Sequence, residues 1–494
     1  MRDGKAEIRD GSELWGLTGN QCIDKIHREL GTNRARVSCI GSAGENLVRY
    51  ACVGHDLRAF AGRCGLGAVM ESKRLKAVAV MGSQSVQVAN RDRIRELNRW
   101  FVQNRLAGTR SMQEYGTAGL LPMLSDIGGC PTRNFGEGSF DGVDTITGKA
   151  MKETTLKGNE RCFACPVACK RIVEAEGAYP VSSQYGGPEY ETLGALGSCC
   201  GVSDLVVICR ANQLCAEHGL DTISTGVSIA FAMECFEAGI LTKEDTGGLE
   251  LTFGNGDALL ELIELIAHRK EFGDVLAEGC MRAAETIGQG SEEFAMHVKG
   301  QELPMHEPRL KHGLGVGYAV SPTGADHCHN IHDTALTAEK GIVDWKALGV
   351  LEPVALQDLG PDKIRLLTYI SNWRHFQNSA VVCQFIPWSI VNYVDLVTSV
   401  TGWNTSTFEL MKLGERVCTM ARVYNIREGF DRTDDVVLKR VLEAFSSGPL
   451  EGVSIDKDAF QQGIKYYYES MGWDKDGIPT VFKLYHLGIS WAKS

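Results

Sequence analysis

Three cysteines within eight residues, CFACPVAC at 162–169, constrain this chain more than any other feature, because whatever they hold needs a ligand from elsewhere in the fold. A lone cysteine is usually a buried apolar residue. Three thiols at spacings of two and three residues, interrupted by Pro166, point instead to metal. Zinc takes four ligands, commonly completed by a second CxxC or an HxxxH pair. Neither occurs, and the dense His/Cys group HCHNIH at 327–332 has no finger spacing. A cubane iron–sulfur cluster wants four thiolates, and a run of three with a distant fourth is a recurring solution. The order CxxCxxxC is also the reverse of the radical-SAM arrangement. Spacing therefore favours iron–sulfur over zinc, with Cys199, Cys200, Cys215, Cys328 and Cys383 as candidates for the fourth ligand.

A chain of 494 residues has room for two or three domains with sizeable cores. Lys plus Arg number 51 against 62 Asp plus Glu, a net charge of −11 with no basic run, so neither nucleic acid nor an anionic membrane is a favoured partner. The charged start MRDGKAEIRDG has no apolar core, and apolar stretches such as ALLELIELIA are broken by Glu before the roughly 18 residues of a membrane span. A cytoplasmic protein with reduced thiols is expected, since 17 cysteines without a signal peptide do not read as a disulfide framework.

Along the chain, residues 1–87 carry short runs such as RVSCIG and LKAVAVMG between Gly-containing turns and read as β-rich. Helical periodicity begins near residue 88 with RDRIRELNRWFVQNRLAG, for which Gly108 is the expected C-cap. Asp204 is expected to cap LVVICRANQLCAEH, which Gly219 ends; Ser224 or Thr225 to start GVSIAFAMECFEAG; and Asp257 to begin ALLELIELIAHRKEFG. The last third repeats the pattern in TSTFELMKLGERVCTMARVYNIREG and KDAFQQGIKYYYESMGW. The expected fold is α+β: a partial β domain at 1–87, a helical domain at 88–296 with the cysteine motif, and a helical domain at 297–494.

The segments IGSAGENLVRYACVGHDLRAFAGRCGLGAVMESKRLKAVAV (40–80), CFACPVAC, GGPEYETLGALG (186–197), CAEHGLDTISTG (215–226), NSAVVCQF (378–385) and GERVCTMARVYNIREG (414–429) together resemble the tungsten-dependent aldehyde:ferredoxin oxidoreductase family. The resemblance covers nearly the whole chain. It implies a [4Fe–4S] cluster on Cys162, Cys165, Cys169 and Cys383, and a tungsten or molybdenum ion held by two pterins. RAFAGRCGLG would then place Arg58, Gly62, Arg63 and Gly65 beside the pterin or its phosphate, with the Ala59 carbonyl as a magnesium ligand. Glycine-rich backbone lets an anionic group approach N–H donors closely. Two DxxGL-like segments, Ala216–Asp221 and Asn378–Cys383, would supply further cofactor contacts through Gly219, Leu220, Asp221, Asn378 and Val382. The leading aspartate of the family pattern is Ala216 in one and Asn378 in the other. Asn378 can still accept a hydrogen bond, whereas at Ala216 the contact falls to backbone or Asp221.

Glu191, the second acid of PEYE, and His327, in GADHCH, occupy the positions of the family's glutamate and histidine beside the metal, and proton transfer suits both. Without the resemblance, Glu191 reads as a helix-start acid and His327 as part of a polar loop. Cys328 is a further candidate ligand, since soft thiolates suit such ions. The family's long leading segment has no counterpart here, so unpaired sheet edges, an uncovered side of the cofactor and weak cofactor retention by this chain alone are expected. Positions where family dimers bridge through a metal are Arg210 and Leu260, so no bridging metal is expected there. The implied activity is oxidation of an aldehyde with electrons passed to ferredoxin, in a homodimer or with a partner subunit. The alternatives are a reductive tungsten subunit like that of benzoyl-CoA reductases, or a non-catalytic iron–sulfur electron-transfer subunit or remnant.

Overall fold

A computed structural model describes residues 1–492 and has an α+β fold, with mostly short strands among many helices. The chain groups into two compact units: 1–85, 111–296 and 300–305 form the first, and 86–110, 297–299 and 306–494 the second. Three segments with boundaries at 87/88 and 296/297 are expected from sequence, whereas the chain passes between the units at 85/86, 110/111, 296/297, 299/300 and 305/306.

The first unit opens with helix α1, Gly19–Leu30, and a four-stranded antiparallel sheet of β1 (Arg36–Cys39), β2 (Val53–His55), β3 (Ala59–Ala61) and β4 (Ala77–Val80), in the order β3-β2-β1-β4. RVSCIG and LKAVAVMG supply β1 and β4, as their alternation suggests; α1 is a helix in what reads as a β-rich segment. Its Cys22, Ile23 and Ile26 pack on Val37 and Cys39, each large apolar side chain contributing roughly 1.5–3 kcal/mol on burial. β3 and β4 are the outer strands of this sheet.

The hairpin β5 (Leu156–Glu160) and β6 (Lys170–Val173) carries the cysteine motif as its loop. After it in the chain come α2 (Tyr190–Leu196), α3 (Leu205–His218), α4 (Thr222–Glu237) and α5 (Gly256–His268). α3 starts and stops where the sequence indicates: the Asp204 side chain accepts from Val206 N and Val207 N, and Gly219 takes φ 73°. α4 begins earlier than expected, because Asp221 rather than Ser224 or Thr225 provides the cap, accepting from Ile223 N. α5 is capped by Asn255 rather than begun by Asp257, and it stops at His268 because Arg269 turns left-handed at φ 47°.

The second unit contains Arg91–Asn104, α6 (Pro361–Ser379), α7 (Ile390–Thr401), α8 (Thr407–Arg427) and α9 (Lys457–Met471). Gly108 is not a C-cap, since it lies inside a second helix, Leu106–Tyr115. α6 and α8 pack in backbone contact: a Cβ on Gly414 would fall 1.7 Å from Asn372 O. Trp373, Phe376, Tyr393 and Leu410 form the core around them. No single helix among the described residues is long and apolar enough to cross a membrane.

Candidate functional site

The cysteine loop is a preformed cradle. Ala164 and Ala168 both take left-handed φ, 54° and 56°, and Cys165 N donates to Cys162 O at 3.0 Å, so the loop turns twice within eight residues. Such backbone is strained for a residue with a side chain. Arg171, 2% exposed, holds it: Nε donates to Cys169 O at 3.2 Å, Nη2 to Ala168 O at 3.1 Å and Gln113 O at 2.9 Å, and Nη1 to Glu114 O at 2.9 Å. Cys162 is exposed, and Cys165 and Cys169 are half-buried.

Burial also sorts the candidates for a fourth thiolate. Cys199, Cys200 and Cys215 are fully buried. Desolvation pushes the Cys215 thiol up to about 12 and the Cys200 thiol well above its usual value. All three pack inside the fold away from solvent and are core thiols here. Cys328 and Cys383, both in the second unit, are exposed. Cys383 follows the end of α6, where Val381 takes φ 54° and the Cys383 Sγ accepts from Phe385 N at 3.4 Å. Asn378 is exposed in the last turn of α6, and Val382 is half-buried against the Trp373 core.

A pocket of about 160 Å³ in the first unit is lined by residues that flank this loop and by the Gly-rich segment. Glu160 ends β5 and Lys170 begins β6, so the hairpin strands run from the pocket wall directly into the cysteines. Arg58 reaches Glu160 Oε1 at 2.7 Å and donates to Gln184 O and Ser183 O, while Lys170 Nζ donates to Arg58 O at 2.7 Å. Glu160 Oε2 is buried with no hydrogen-bond partner among the described residues. A buried acceptor left without a donor costs free energy, and here it lines the pocket. Ala59 lies exposed on β3, and a Cβ on Gly62 would meet nothing within 4 Å, so backbone here is open to a ligand. Gly65 is required for another reason: at φ 67° its Cβ would lie 2.1 Å from Arg49 O.

The opposite wall comes from the α3–α4 connection. Leu220 bridges to Ala51, and Asp221 N donates to Tyr50 O at 3.1 Å, locking the segment to the first sheet domain. The Asp221 carboxylate is committed three ways: Oδ1 to Ile223 N at 3.0 Å, and Oδ2 to Ser224 Oγ at 3.0 Å and Arg63 Nε at 3.2 Å. Arg63 also donates to Glu302 O at 2.6 Å. Ala216, Leu220, Asp221 and Thr222 of this connection all line the pocket.

Glu191 sits in the first turn of α2, where its Oε2 accepts from Met305 N at 2.8 Å. Its neighbour Glu189, the first acid of PEYE, lines the pocket and was not singled out from the sequence. Burial pushes the Glu189 carboxyl up, partly offset by its contact with Thr117. In the second unit, His327 Nε2 lies 3.5 Å from Cys328 Sγ, and Asp326 Oδ1 shapes the loop by accepting from Cys328 N at 2.7 Å. His306, also missed from sequence, lies with its ring centroid 5.3 Å from that of His327 and 4.7 Å from that of His332. Burial, reinforced by Lys311, holds His306 well below the usual imidazole range, and burial with His306 does the same to His332. Burial thus keeps His306 and His332 in the neutral form.

Residues 1–82 match the family profile described as aldehyde ferredoxin oxidoreductase, N-terminal domain, and residues 94–489 that described as its domains 2 and 3. The chain belongs to the aldehyde ferredoxin oxidoreductase family. Among curated members, the tungsten-containing aldehyde ferredoxin oxidoreductase of Thermococcus kodakarensis is 36% identical, over 99% of this chain and 79% of that protein. The Pyrococcus furiosus enzyme of the same name gives the same identity and coverage. The WOR-like subunit of the aliphatic sulfonate oxidoreductase of Pyrococcus furiosus is 31% identical, over 99% and 77%. Among solved structures, a chain of the active site complex BamBC of benzoyl coenzyme A reductase shares the fold, with a TM-score of 0.78 at 24% identity over 100% of this chain and 79% of that one. For a family of tungsten-containing enzymes, the observations suit the group. The pocket combines Arg58 and Lys170 with the orphaned Glu160 Oε2, a donor and acceptor set appropriate to an anionic cofactor bearing amine N–H groups. The cysteine loop offers accessible thiols on an already turned backbone.

Proposed function

We propose that this chain oxidises an aldehyde to its carboxylic acid: aldehyde and water give the acid, two protons and two electrons, and the electrons leave one at a time through a [4Fe–4S] cluster to ferredoxin. The observation that carries this reading is the hairpin β5–β6, whose ends, Glu160 and Lys170, line the charged pocket while its loop presents the three cysteines. Cofactor site and electron exit then adjoin at the loop end of one short hairpin.

A bis-pterin tungsten or molybdenum centre supplies, when bound, the two-electron redox couple. Arg58, Gly62, Arg63, Gly65, Gly219, Leu220, Asp221, Asn378 and Val382 are the residues proposed to hold it, and the Ala59 carbonyl an associated magnesium ion. Arg63 acts from a fixed position because Asp221 and the Glu302 carbonyl restrain its guanidinium. Cys162, Cys165, Cys169 and Cys383 are the proposed cluster ligands. Glu191 would receive a proton at its carboxylate, oriented by the Met305 N–H, and His327 the other on its imidazole, with the buried His306 and His332 rings packed beside it.

The exposed Cys328 thiol beside His327 supports a second reading, a reductive tungsten subunit that works within a complex. Anaerobic purification of the chain separates the two. The first reading expects tungsten and iron in the protein with aldehyde-dependent reduction of a viologen dye. Tungsten without aldehyde oxidation favours the second, and iron without tungsten overturns both.

A further inference from the structure

We propose that His218, Glu264 and His268, in the first unit, bind one divalent transition-metal ion of the zinc type, at a site separate from the cysteine loop and the pocket. Glu264 and His268 stand one turn apart on α5, so both project from the same face. His218 is the last residue of α3 and meets them from the neighbouring helix. Its Nε2 lies 3.1 Å from Glu264 Oε2, and His268 Nε2 lies 3.9 Å from the same oxygen. One potential ligand atom from each residue falls within 4.8 Å of the others. Ligands bound at about 2.0–2.2 Å to a single tetrahedral ion are roughly 3–4 Å apart, so little movement closes the set.

The buried imidazole identifies the site as more than a surface cluster. His218 is 7% exposed, and its Nε2 makes no hydrogen bond of acceptable geometry despite the short approach to Glu264. Its other nitrogen, Nδ1, is 2.7 Å from the buried Ser42 Oγ. In the tautomer that donates Nδ1–H to Ser42 Oγ, the Nε2 lone pair is available to a cation that the adjacent Glu264 carboxylate would also bind. A metal-bound histidine usually has its second nitrogen fixed in this way. Two imidazoles and one carboxylate suit zinc or its first-row neighbours rather than calcium or magnesium, which prefer oxygen. The Glu264 and His268 side chains are 45% and 39% exposed, so the ion can enter from solvent and keep a water ligand.

Position gives the site its consequence. The carbonyl of His218 is packed so closely on Gly41 that a Cβ there would lie 2.2 Å away, and three residues further on Asp221 forms the pocket wall. An ion here would staple α5 to the end of α3 and steady that wall. The site shares no residue with Arg210 or Leu260, and the inference does not depend on the aldehyde-oxidising reading.

The test is calorimetric titration of Zn²⁺ into the full chain after chelator dialysis, beside His268→Ala and Glu264→Gln. Both altered side chains are solvent-accessible, and thermal melts of the metal-free proteins check that the variants fold. Wild type should bind one equivalent more than His268→Ala, and Glu264→Gln should bind that equivalent at least tenfold more weakly. Ser42→Ala should weaken it by about tenfold or more. Anomalous scattering at the zinc edge from crystals of the zinc-loaded chain should place an ion among the three side chains. Equal stoichiometry and affinity in wild type and variants, or an anomalous map without that peak, overturns the proposal.

Discussion

Asp221 does several jobs with one carboxylate, which makes it the most consequential residue of the pocket wall. It caps α4, accepts from Ser224 and pairs with Arg63, whose side chain is 12% exposed. Replacing it with alanine removes a cap worth about 1 kcal/mol and leaves a largely buried guanidinium without its counter-charge, a loss of about 3–5 kcal/mol when a buried pair is broken. Asp221→Ala should therefore lower the unfolding midpoint markedly, and Asp221→Asn, which keeps the cap, should cost less. Equal losses in denaturant unfolding would remove the cap from this account. His375 makes a second prediction. Burial pulls its pKa from the ordinary 6.5 down to about 3, with a smaller push from His329, which stacks on it at 4.6 Å. Between those values the unfolded chain binds the proton and the folded chain does not. Stability is then full above pH 6.5 and falls as pH drops toward 3, by up to about 1.4 kcal/mol per pH unit. His375→Asn should show a shallower fall in midpoint between pH 7 and 5 than wild type; parallel curves would contradict the assignment.

At the level of elements, legibility followed locality. The bounds of α3 could be read because Asp204 and Gly219 adjoin the helix they terminate. α4 starts before Ser224 because Asp221, a pocket residue, is also its cap, and Gly108 ends nothing because it lies within a second helix that begins two residues after the first ends. The cysteines were visible, but not that their loop belongs to a hairpin, nor that Arg171 secures it through four backbone carbonyls spread over residues 113–169. Glu160, Glu189 and His306 were likewise invisible, because a buried carboxylate or imidazole is defined by neighbours far away in sequence. The hairpin yields its own prediction. Arg171→Met should keep the unit folded yet lower bound iron by more than half, as the loop relaxes from its left-handed turns. Arg171→Lys should fail to rescue it, because one ammonium cannot replace a planar fork with several fixed donors. Iron content and near-ultraviolet circular dichroism of the purified variants would decide, and full iron in Arg171→Met would refute the positioning role.

For the whole molecule, the proposed cluster has Cys162, Cys165, Cys169 and Cys383 as its ligands and is the route by which electrons leave. Sequence spacing left five candidates for that fourth ligand; burial withdrew Cys199, Cys200 and Cys215, and the family correspondence favours Cys383 over the equally exposed Cys328. The most direct measurement is iron per chain, with the cluster's electron paramagnetic resonance signal, in anaerobically prepared wild type, Cys383→Ser and Cys328→Ser. The prediction is about four irons in wild type, retained in Cys328→Ser and largely lost with the signal in Cys383→Ser. Full iron with an unchanged signal in Cys383→Ser would contradict it.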